Sequence, residues 1–307
     1  MIRLTCIVPA TNRPDTLPRC LAAIAAATSP PEQLIVVDDA TIKHPGLARN
    51  AGARTATGDV LVFVDADVTV HADAFARIRA AFGADPLLVA LLGSYDDAPD
   101  APGIVSAFRN LLHHYVHQRG AGPVGTFWAG LGAMRRDAFE SSGGFVAHPI
   151  EDIELGMRLS DGGARIMLDP AVQGTHLKRW TLASMIRTDL LIRGIPWVGL
   201  LLVHRGSSAA STLNLGWRHR FSALASLALL AALVLRSSWG ILIALSLLVT
   251  LNFDFYRFLV RRQGFFRAAC GVGLHFLHQL LAIAAVPFGV LGHLIRRPAA
   301  AARMKPA

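Results

Sequence analysis

The sequence predicts an α/β domain followed by membrane-associated helices, and three observations predict this fold class. Up to residue 90, short runs of β-branched residues alternate with segments of helical period, which is the pattern of βαβ units. Residues 1–189 contain 17 Lys and Arg and 20 Asp and Glu, whereas residues 190–307 contain 13 and 1. Long uncharged apolar runs lie in that basic second part. We therefore expect a globular first part and a second part in contact with a bilayer.

The first part is predicted to fold as alternating strands and helices around a parallel sheet. Four apolar runs are interpreted as strands: residues 4–8, 34–38, 60–64 and 87–92. Three segments between them have helical period: residues 16–27, 46–57 and 72–82. The last of these helices carries Phe75, Ile78 and Phe82 at spacings of three and four residues, so one apolar face can pack on the sheet.

Acidic side chains stand at the ends of two predicted strands. Asp65 and Asp67, separated by one alanine, follow the strand 60–64, and Asp39 follows the strand 34–38. The carboxyl ends of parallel strands meet at one edge of a sheet, where open α/β proteins bind ligands. Carboxylate oxygens are also the ligands that divalent cations prefer when they bridge phosphates. A solvated acidic turn would explain the acids after either strand alone. Acids after both strands together indicate a site for a cation and a phosphate-bearing ligand.

Five sequence stretches carry a resemblance to a known family. In chain order they are IVPATNRPDTL, VVDDA, LARNAGARTATGDVLVFVDADV, FWAGLGAMRRDAFESSGGF and EDIELGMRL. Together they cover about residues 2–180. On these motifs the chain resembles the family 2 glycosyltransferases of the GT-A fold, which transfer sugars from nucleotide-sugar donors. The resemblance implies a Rossmann-like nucleotide-sugar-binding domain at residues 1–186.

The resemblance also implies a role for each matching residue. The donor-binding residues would be Pro9, Thr11, Arg13, Asp39, Arg49 and Asp65, with Asp39 at the nucleotide base. Asp67 would bind Mg²⁺ or Mn²⁺, and Asp152 would be the general base, with Glu151 beside it at the acceptor. Direct displacement at an anomeric carbon needs both a base for the acceptor hydroxyl and a metal at the leaving diphosphate. Two acids also suit a helix N-terminus, which does not exclude catalysis.

A later motif, His176-Leu177-Lys178-Arg179-Trp180, resembles the (Q/R)xxRW signature of processive and ceramide-type members of the family, with His in place of Gln. The resemblance implies that Arg179 binds the diphosphate, that Trp180 forms the floor of the acceptor site and that His176 is a second metal ligand. An alternative is that Lys178, Arg179 and Trp180 anchor the chain at the membrane surface.

The basic second part contains three long apolar segments. Residues 221–235 and 239–253 each lack charge, and at 1.5 Å per residue each covers about 22 Å of a hydrocarbon layer about 30 Å thick. We interpret them as a transmembrane hairpin that is completed by its flanks. Residues 268–295 contain no Asp, Glu, Lys or Arg. A full third crossing would place the last basic residues outside, against the positive-inside rule. A re-entrant or interfacial third segment is therefore kept as an alternative.

The remaining segments complete the predicted domain organisation. Residues 187–217 mix apolar stretches with Arg, Pro and Trp, so we expect interfacial amphipathic helices there, with an ordinary packing helix as the alternative. Residues 218–297 form the transmembrane region of two to three helices, and residues 298–307 a disordered tail. The N-terminal apolar run is too short for a signal peptide. We therefore expect a multi-pass protein of a bacterial-type inner (plasma) membrane, with its catalytic domain in the cytoplasm.

Several other functions are disfavoured by the composition and motifs. The net charge of +9 flanks apolar runs, where it serves topology and lipid headgroups, so no nucleic-acid partner is expected. Three cysteines without a CxxC pair indicate neither a disulfide framework nor a zinc site. Residues 120–125 satisfy GxGxxG but do not follow a predicted strand. The histidine pairs His113/His117 and His275/His278 have helical spacing, which packing explains better than metal binding.

These observations predict a membrane-bound inverting glycosyltransferase. It would transfer a hexose from a UDP- or GDP-activated donor to a lipid acceptor, in a reaction that needs Mg²⁺ or Mn²⁺. The rival is a membrane-bound nucleotidyltransferase acting on a lipid or sugar phosphate, which would release pyrophosphate. The turn at residues 10–14 is short and contains no glycine, which disfavours the phosphate loop that the rival needs.

Overall fold

The structure is a computed structural model that describes the backbone of residues 2–204 and 216–303, with side chains to residue 295. It divides into two compact units. The first extends to Arg179, and the second begins at Trp180. The sequence places the end of the catalytic domain a few residues later, at residue 186, and that functional boundary stays a prediction.

The first unit contains one large sheet with helices on both faces. Its strands are β1 (Leu4–Pro9), β2 (Gln33–Val37), β3 (Val60–Val64), β4 (Val68–Val70), β5 (Leu88–Tyr95), β6 (Gly122–Pro123), β7 (Leu131–Arg135) and β8 (Arg165–His176). Its helices are α1 (Leu17–Ala25), α2 (Pro45–Ala53), α3 (Ala74–Ala84), α4 (Ile104–Arg119), α5 (Arg136–Ser141) and α6 (Glu151–Asp161). The four strands and three helices predicted from the sequence are all present, with ends shifted by a few residues.

The sheet is mixed, which corrects the expectation of a parallel sheet. Its order is β2-β1-β3-β7-β5-β8-β4, with β6 paired to β8. β1 pairs in parallel with β2 and β3, as the βαβ pattern predicts. β7 then inserts between β3 and β5 and is antiparallel to both. The prediction was wrong here because the hydrophobic pattern of one strand does not specify its direction or its neighbour.

Two apolar clusters hold the sheet between its helices. β3 is buried along its whole length, and its side chains alternate between the faces. Val62 and Val64 belong to the cluster that contains Phe75 of α3, whereas Leu61 and Phe63 belong to the other. A strand buried on both faces is continuously apolar. It is for this reason that the chain becomes polar abruptly at Asp65, where it leaves the core.

The second unit is helical in the part that the structure describes. Its elements are α7 (Leu182–Arg187), a π-helix (Thr188–Gly194), α8 (Ile195–Val203), α9 (Trp217–Val234), α10 (Ser238–Leu251), α11 (Phe253–Gln263) and α12 (Phe265–Arg303). The predicted interfacial segment, 187–217, contains the π-helix and α8, and its residues 205–215 lie outside the described residues. α12 continues past residue 298, where a disordered tail is predicted, because the alanine-rich sequence there favours helix. Residues 304–307 lie outside the described part.

One described helix is long and apolar enough to cross a bilayer, and it is the segment Phe265–Ile295 of α12. Only 22% of its most apolar stretch is buried, unlike the core helix of a globular domain. α10 and α11 would count as a second crossing only if both belong to one span, since they bend by 74°. The polar first turn of α9 lowers its hydropathy, and α9 does not qualify. More than one crossing therefore stays a prediction.

Candidate active site

The candidate site lies where β3 leaves the core of the first unit. Asp65 follows β3 directly, and its backbone N–H donates to the carbonyl oxygen of Gly130 at 3.0 Å. Asp67 follows two residues later, before β4 begins. The Thr16 hydroxyl donates to the carbonyl oxygen of Ala66 at 2.9 Å and helps to hold the acidic turn. The sequence therefore predicted the place of both carboxylates correctly.

The strand pair β4–β8 brings His176 beside Asp67. Val68 lies opposite His176 in this antiparallel pair, and the N–H of Leu177 donates to the carbonyl oxygen of Asp67 at 2.8 Å. The imidazole Nε2 of His176 is 3.7 Å from Asp67 Oδ2. Burial alone would raise the pKa of Asp67, but its interaction with His176 and the charge of Lys178 lower that pKa overall. The two residues that the sequence proposed as metal ligands thus lie together.

Arg49 is buried and joins two parts of the site. Its Nη2 is 2.6 Å from Asp65 Oδ1, and its Nη1 is 2.8 Å from Glu151 Oε1. The guanidinium also lies over the ring of Phe145, 5.5 Å from the centroid. Desolvation would lower the pKa of Arg49, but the charges of Asp65 and Glu151 raise it. Both ends of the guanidinium are thus occupied by carboxylates, so Arg49 orders the site whether or not it also contacts a donor.

Helix α6 presents the two predicted acceptor-side acids. Glu151 is buried, and its pKa is raised by burial and by the charge of Asp152. Asp152 Oδ2 accepts a hydrogen bond from the N–H of Ala129 at 3.2 Å. α6 packs closely against the segment that contains Phe127 and Ala129 because Gly156 has no side chain. A Cβ at Gly156 would lie 2.0 Å from the backbone nitrogen of Phe127. Asp152 is therefore held against a defined backbone segment.

The predicted nucleotide-base residues lie at the ends of β1 and β2. Asp39 Oδ1 accepts hydrogen bonds from the hydroxyl of Thr41 at 2.7 Å and from its N–H at 2.9 Å, and these bonds lower the pKa of Asp39. Arg13 has a positive φ of 45° and lies 3.4 Å from Asp38, not from Asp39. Pro9 ends β1, and Thr11 lies in the turn that follows it. None of these contacts tests a role in donor binding.

The predicted diphosphate and acceptor residues follow β8. Arg179 is exposed and ends the first unit, whereas Trp180 is buried and begins the second. The roles of Arg179 at the diphosphate and of Trp180 at the acceptor stay predictions.

Comparison with known proteins finds a family model that matches about a third of the chain. Residues 43–143 match the sequence model of the family "Glycosyl transferase family 2". The matched region includes Arg49, Asp65 and Asp67 and ends before Asp152 and His176.

Two similar proteins extend this comparison. O-antigen chain rhamnosyltransferase RfbN of Salmonella typhimurium is 26% identical in an alignment of length 199, which covers 54% of this chain and 63% of that relative. The alignment thus spans less than two thirds of the relative. The mannosyltransferase PcManGT from Pyrobaculum calidifontis, solved in complex with GDP-Man and Mn²⁺, has a TM-score of 0.56 at 18% identity. That match covers 95% of this chain and 87% of the other and shows a shared fold.

The structure also places residues at the site that the sequence analysis missed. Tyr95 stacks on the imidazole of His176, with centroids 4.2 Å apart and planes 8° apart. The next residue, Asp96, accepts hydrogen bonds from the side chains of Thr175 and His71. Tyr95 and Asp96, at the end of β5, therefore hold the end of β8 that carries His176 in place. The signal was present, because β5 is an apolar strand followed directly by Asp96 and a second acid, as β3 is followed by Asp65.

A divalent cation fits the residues of the candidate site. No group of three or more His, Cys, Asp and Glu side chains suited to a metal occurs in the described part of the chain. Asp67 and His176 by themselves provide two possible metal ligands, a carboxylate and an imidazole. The distance between Asp67 Oδ2 and His176 Nε2 is 3.7 Å. Cations that bridge nucleotide phosphates need only one or two protein ligands, because phosphate and water oxygens complete the shell. A metal site in which the protein supplies every ligand is therefore not required here.

Proposed function

We propose that this chain is a metal-dependent inverting glycosyltransferase that moves a hexose from a nucleotide sugar to a membrane lipid. The observation that carries the proposal is the placing of Asp65 and Asp152 on adjacent backbone groups. Asp65 donates its N–H to the carbonyl of Gly130, and Asp152 accepts from the N–H of the preceding residue, Ala129. A strand-end acid and a candidate base thus lie together in a chain whose residues 43–143 match the glycosyltransferase family 2 model.

The proposed reaction is a direct displacement at the anomeric carbon. Asp152 takes the proton of the acceptor hydroxyl while that oxygen bonds to the anomeric carbon. The bond from this carbon to the diphosphate oxygen breaks, and the nucleoside diphosphate leaves with the electron pair. Attack opposite the leaving group inverts the configuration. Asp67 and His176 would hold a Mg²⁺ or Mn²⁺ ion, which stabilises the charge on the leaving diphosphate.

The donor would be held by the residues at the ends of β1 and β2 and by Arg179. The pKa of Asp39 is lowered by its hydrogen bonds from Thr41, so its carboxylate is charged at neutral pH and can accept hydrogen bonds from a nucleotide base. We propose a UDP- or GDP-hexose, since a mannosyltransferase of the same fold was solved with GDP-Man. Arg179 is exposed and can pair with the diphosphate through two parallel hydrogen bonds.

A lipid acceptor is proposed because the second unit exposes much apolar surface. The segment Phe265–Ile295 can cross a bilayer, and the exposed aromatic residues of the helical unit include Trp217, Trp239 and Phe266. Trp side chains favour the headgroup level of membranes. We propose that the helical unit holds the enzyme on the inner membrane and that Trp180 and Glu151 contribute to acceptor use, with the catalytic domain in the cytoplasm.

One assay tests the proposal. Detergent-solubilised full-length protein is incubated with Mn²⁺, UDP- and GDP-hexoses, a nucleotide-activated rhamnose and extracted membrane lipids, and the products are identified by mass. A lipid heavier by one hexose, together with a released nucleoside diphosphate, supports the proposal. Release of pyrophosphate instead would identify a nucleotidyltransferase. Transfer only to water-soluble acceptors would overturn the lipid acceptor but not the transferase.

A further inference from the structure

An aromatic cluster in the first unit contains the imidazole of His176, and its other members are Tyr95, His113 and Trp128. The Tyr95 ring and the His176 imidazole are stacked, with centroids 4.2 Å apart and planes 8° apart. The ring of His113, on α4, has its centroid 4.3 Å from that of Tyr95, and the Trp128 ring meets Tyr95 edge-on at 4.8 Å. Tyr95 and His176 are both buried. The tyrosine ring is therefore held by its neighbours and can hold the imidazole in turn.

The stack fixes the plane of the His176 imidazole. Rotation of the imidazole about its Cβ–Cγ bond would drive the ring edge into the Tyr95 ring, because the two centroids are only 4.2 Å apart. The lone pair of an imidazole nitrogen lies in the ring plane, so a fixed plane also limits where Nε2 can bind a cation. Nε2 is 3.7 Å from Asp67 Oδ2. The stack therefore keeps this nitrogen beside the carboxylate of Asp67.

The stack takes a place that a hydrogen bond usually has. A histidine that binds a metal ordinarily donates its other ring N–H to a carboxylate, a carbonyl or water, and this bond orients the ring. In the part of the chain that the structure describes, Nδ1 of His176 has no such protein partner, and the contacts of the imidazole are the Tyr95 ring and Asp67. The orientation of His176 thus depends on an aromatic contact.

The indole of Trp128 connects the aromatic cluster to the carboxylates of the site. The N–H of the next residue, Ala129, donates to Asp152, and the carbonyl oxygen of Gly130 accepts from the N–H of Asp65. A Cβ at Gly130 would lie 2.5 Å from the Trp128 ring, so the indole folds back over this glycine. One short segment therefore packs on Tyr95 and also holds the two acids.

We infer that Tyr95 is a positioning residue for His176, and that its ring keeps the imidazole in the plane in which Nε2 and Asp67 can share a divalent cation. The inference rests on the proposed function, in which His176 is a metal ligand. Tyr95 acts through His176 and contacts neither donor nor acceptor in this role. The ring face carries the role and the hydroxyl does not, because the stack is made by the ring. Loss of a group that orients a metal ligand lowers metal affinity about 10- to 100-fold.

Mn²⁺ binding to detergent-solubilised full-length protein, followed by electron paramagnetic resonance, tests the inference. Mn²⁺ is titrated alone, with UDP and with GDP, and titrations without protein account for the metal that the nucleotide itself binds. Tyr95→Leu should weaken Mn²⁺ binding about tenfold or more, whereas Tyr95→Phe keeps the ring and should bind like the wild type. His176→Gln should also weaken binding, and adding Tyr95→Leu to it should have little further effect, because the imidazole is already gone.

The matched control is Phe82→Leu. It removes another buried aromatic ring from the apolar cluster to which Tyr95 belongs, on α3 and beside Arg135. Its Mn²⁺ affinity should equal that of the wild type even where thermal melts show a loss of stability as large as in Tyr95→Leu. His113→Leu removes a ring that packs on Tyr95 and should weaken Mn²⁺ binding measurably. It is the second variant in case Tyr95→Leu does not fold.

The outcomes separate this inference from the proposed function. Mn²⁺ binding that needs His176 but is unchanged in Tyr95→Leu, or in His113→Leu where Tyr95→Leu does not fold, would overturn the inference and leave the metal-dependent reaction standing. The same holds if Tyr95→Phe loses as much affinity as Tyr95→Leu, if the loss is equal with and without His176, or if His176→Gln binds Mn²⁺ normally. No protein-bound Mn²⁺ in any of the three series would overturn the metal assignment, and the inference with it.

Discussion

Arg49 and Glu151 are 102 residues apart in the chain and form a buried ion pair, with 2.8 Å between Nη1 and Oε1. The same guanidinium holds Asp65 through its other terminal nitrogen. The strand-end acid of β3 and the first turn of α6, which carries the proposed base, are thus tied to one side chain.

Removal of Arg49 should destabilise the protein strongly. Arg49→Met leaves Glu151 buried beside Asp152 without a counter-charge, and loss of one partner of a buried pair costs roughly 3–5 kcal/mol of unfolding free energy. Urea unfolding followed by circular dichroism measures the loss. Arg19→Met, which breaks the exposed pair with Asp100, is the control and should change stability little. Equal losses of unfolding free energy in the two variants would show that the buried ion pair stabilises the fold no more than the exposed pair does.

Asp67 should be needed for both metal binding and turnover. Asp67→Ala removes the carboxylate that faces His176, so we expect weak Mn²⁺ binding by electron paramagnetic resonance and no measurable transfer. Asp137→Ala, an exposed acid on α5, is the matched control. Near-normal transfer by Asp67→Ala, or full activity of the wild type in EDTA, contradicts the metal assignment.

Asp152 should act on the acceptor and not on the donor. Asp152→Asn keeps the shape and still accepts the hydrogen bond from Ala129, but it cannot take a proton, so transfer should fall by about 10² or more. Donor affinity, measured by calorimetry with a nucleoside diphosphate and Mn²⁺, should be unchanged. If affinity collapses while the rate per bound complex stays normal, Asp152 is a binding residue.

Cys20 should make the protein less stable at alkaline pH. Burial, and then the charges of Asp65 and Asp67, raise the pKa of its thiol to about 12, against about 8.5 in an unfolded chain. Between these values the folded state keeps a proton that the unfolded state loses, so stability falls as pH rises above about 8.5. Cys20→Ala should make this decline shallower in urea titrations from pH 8 to 10.5. The exposed Cys270 is the control, since Cys270→Ala should leave the decline unchanged.

Trp180 should matter for the lipid and not for the donor. Trp180→Ala in the full-length chain should lower lipid glycosylation more than hydrolysis of the nucleotide sugar by water. Trp217→Ala, which changes an exposed tryptophan of the helical unit, is the comparison variant. Parallel losses of both activities in Trp180→Ala would indicate that Trp180 supports the fold or the donor site.

The strands and the two acids after β3 were predictable because their signals are local. An apolar run such as Val60–Val64, buried on both faces, is recognisable from its own residues, and Asp65 and Asp67 stand out because they end it. The helical period of α3 is equally local. The motif EDIELGMRL proposed Asp152 as a site residue, and the later motif of residues 176–180 proposed His176, without any knowledge of their contacts.

Pairing between distant segments was decided only by the tertiary structure. The insertion of β7 between β3 and β5, the contact of His176 with Asp67 and Tyr95, and the bond from Arg49 to Glu151 each join residues far apart in the chain. In the helical unit, Asn252 donates to Ser222 and to the carbonyl of Leu248 at the point where α10 and α11 bend by 74°. The uncharged run 239–253 predicted one arm of a hairpin and gave no signal of this bend. Hydrophobic pattern determines which residues are buried, but register, strand direction and helix bends depend on which distant groups satisfy each other's hydrogen bonds and charges.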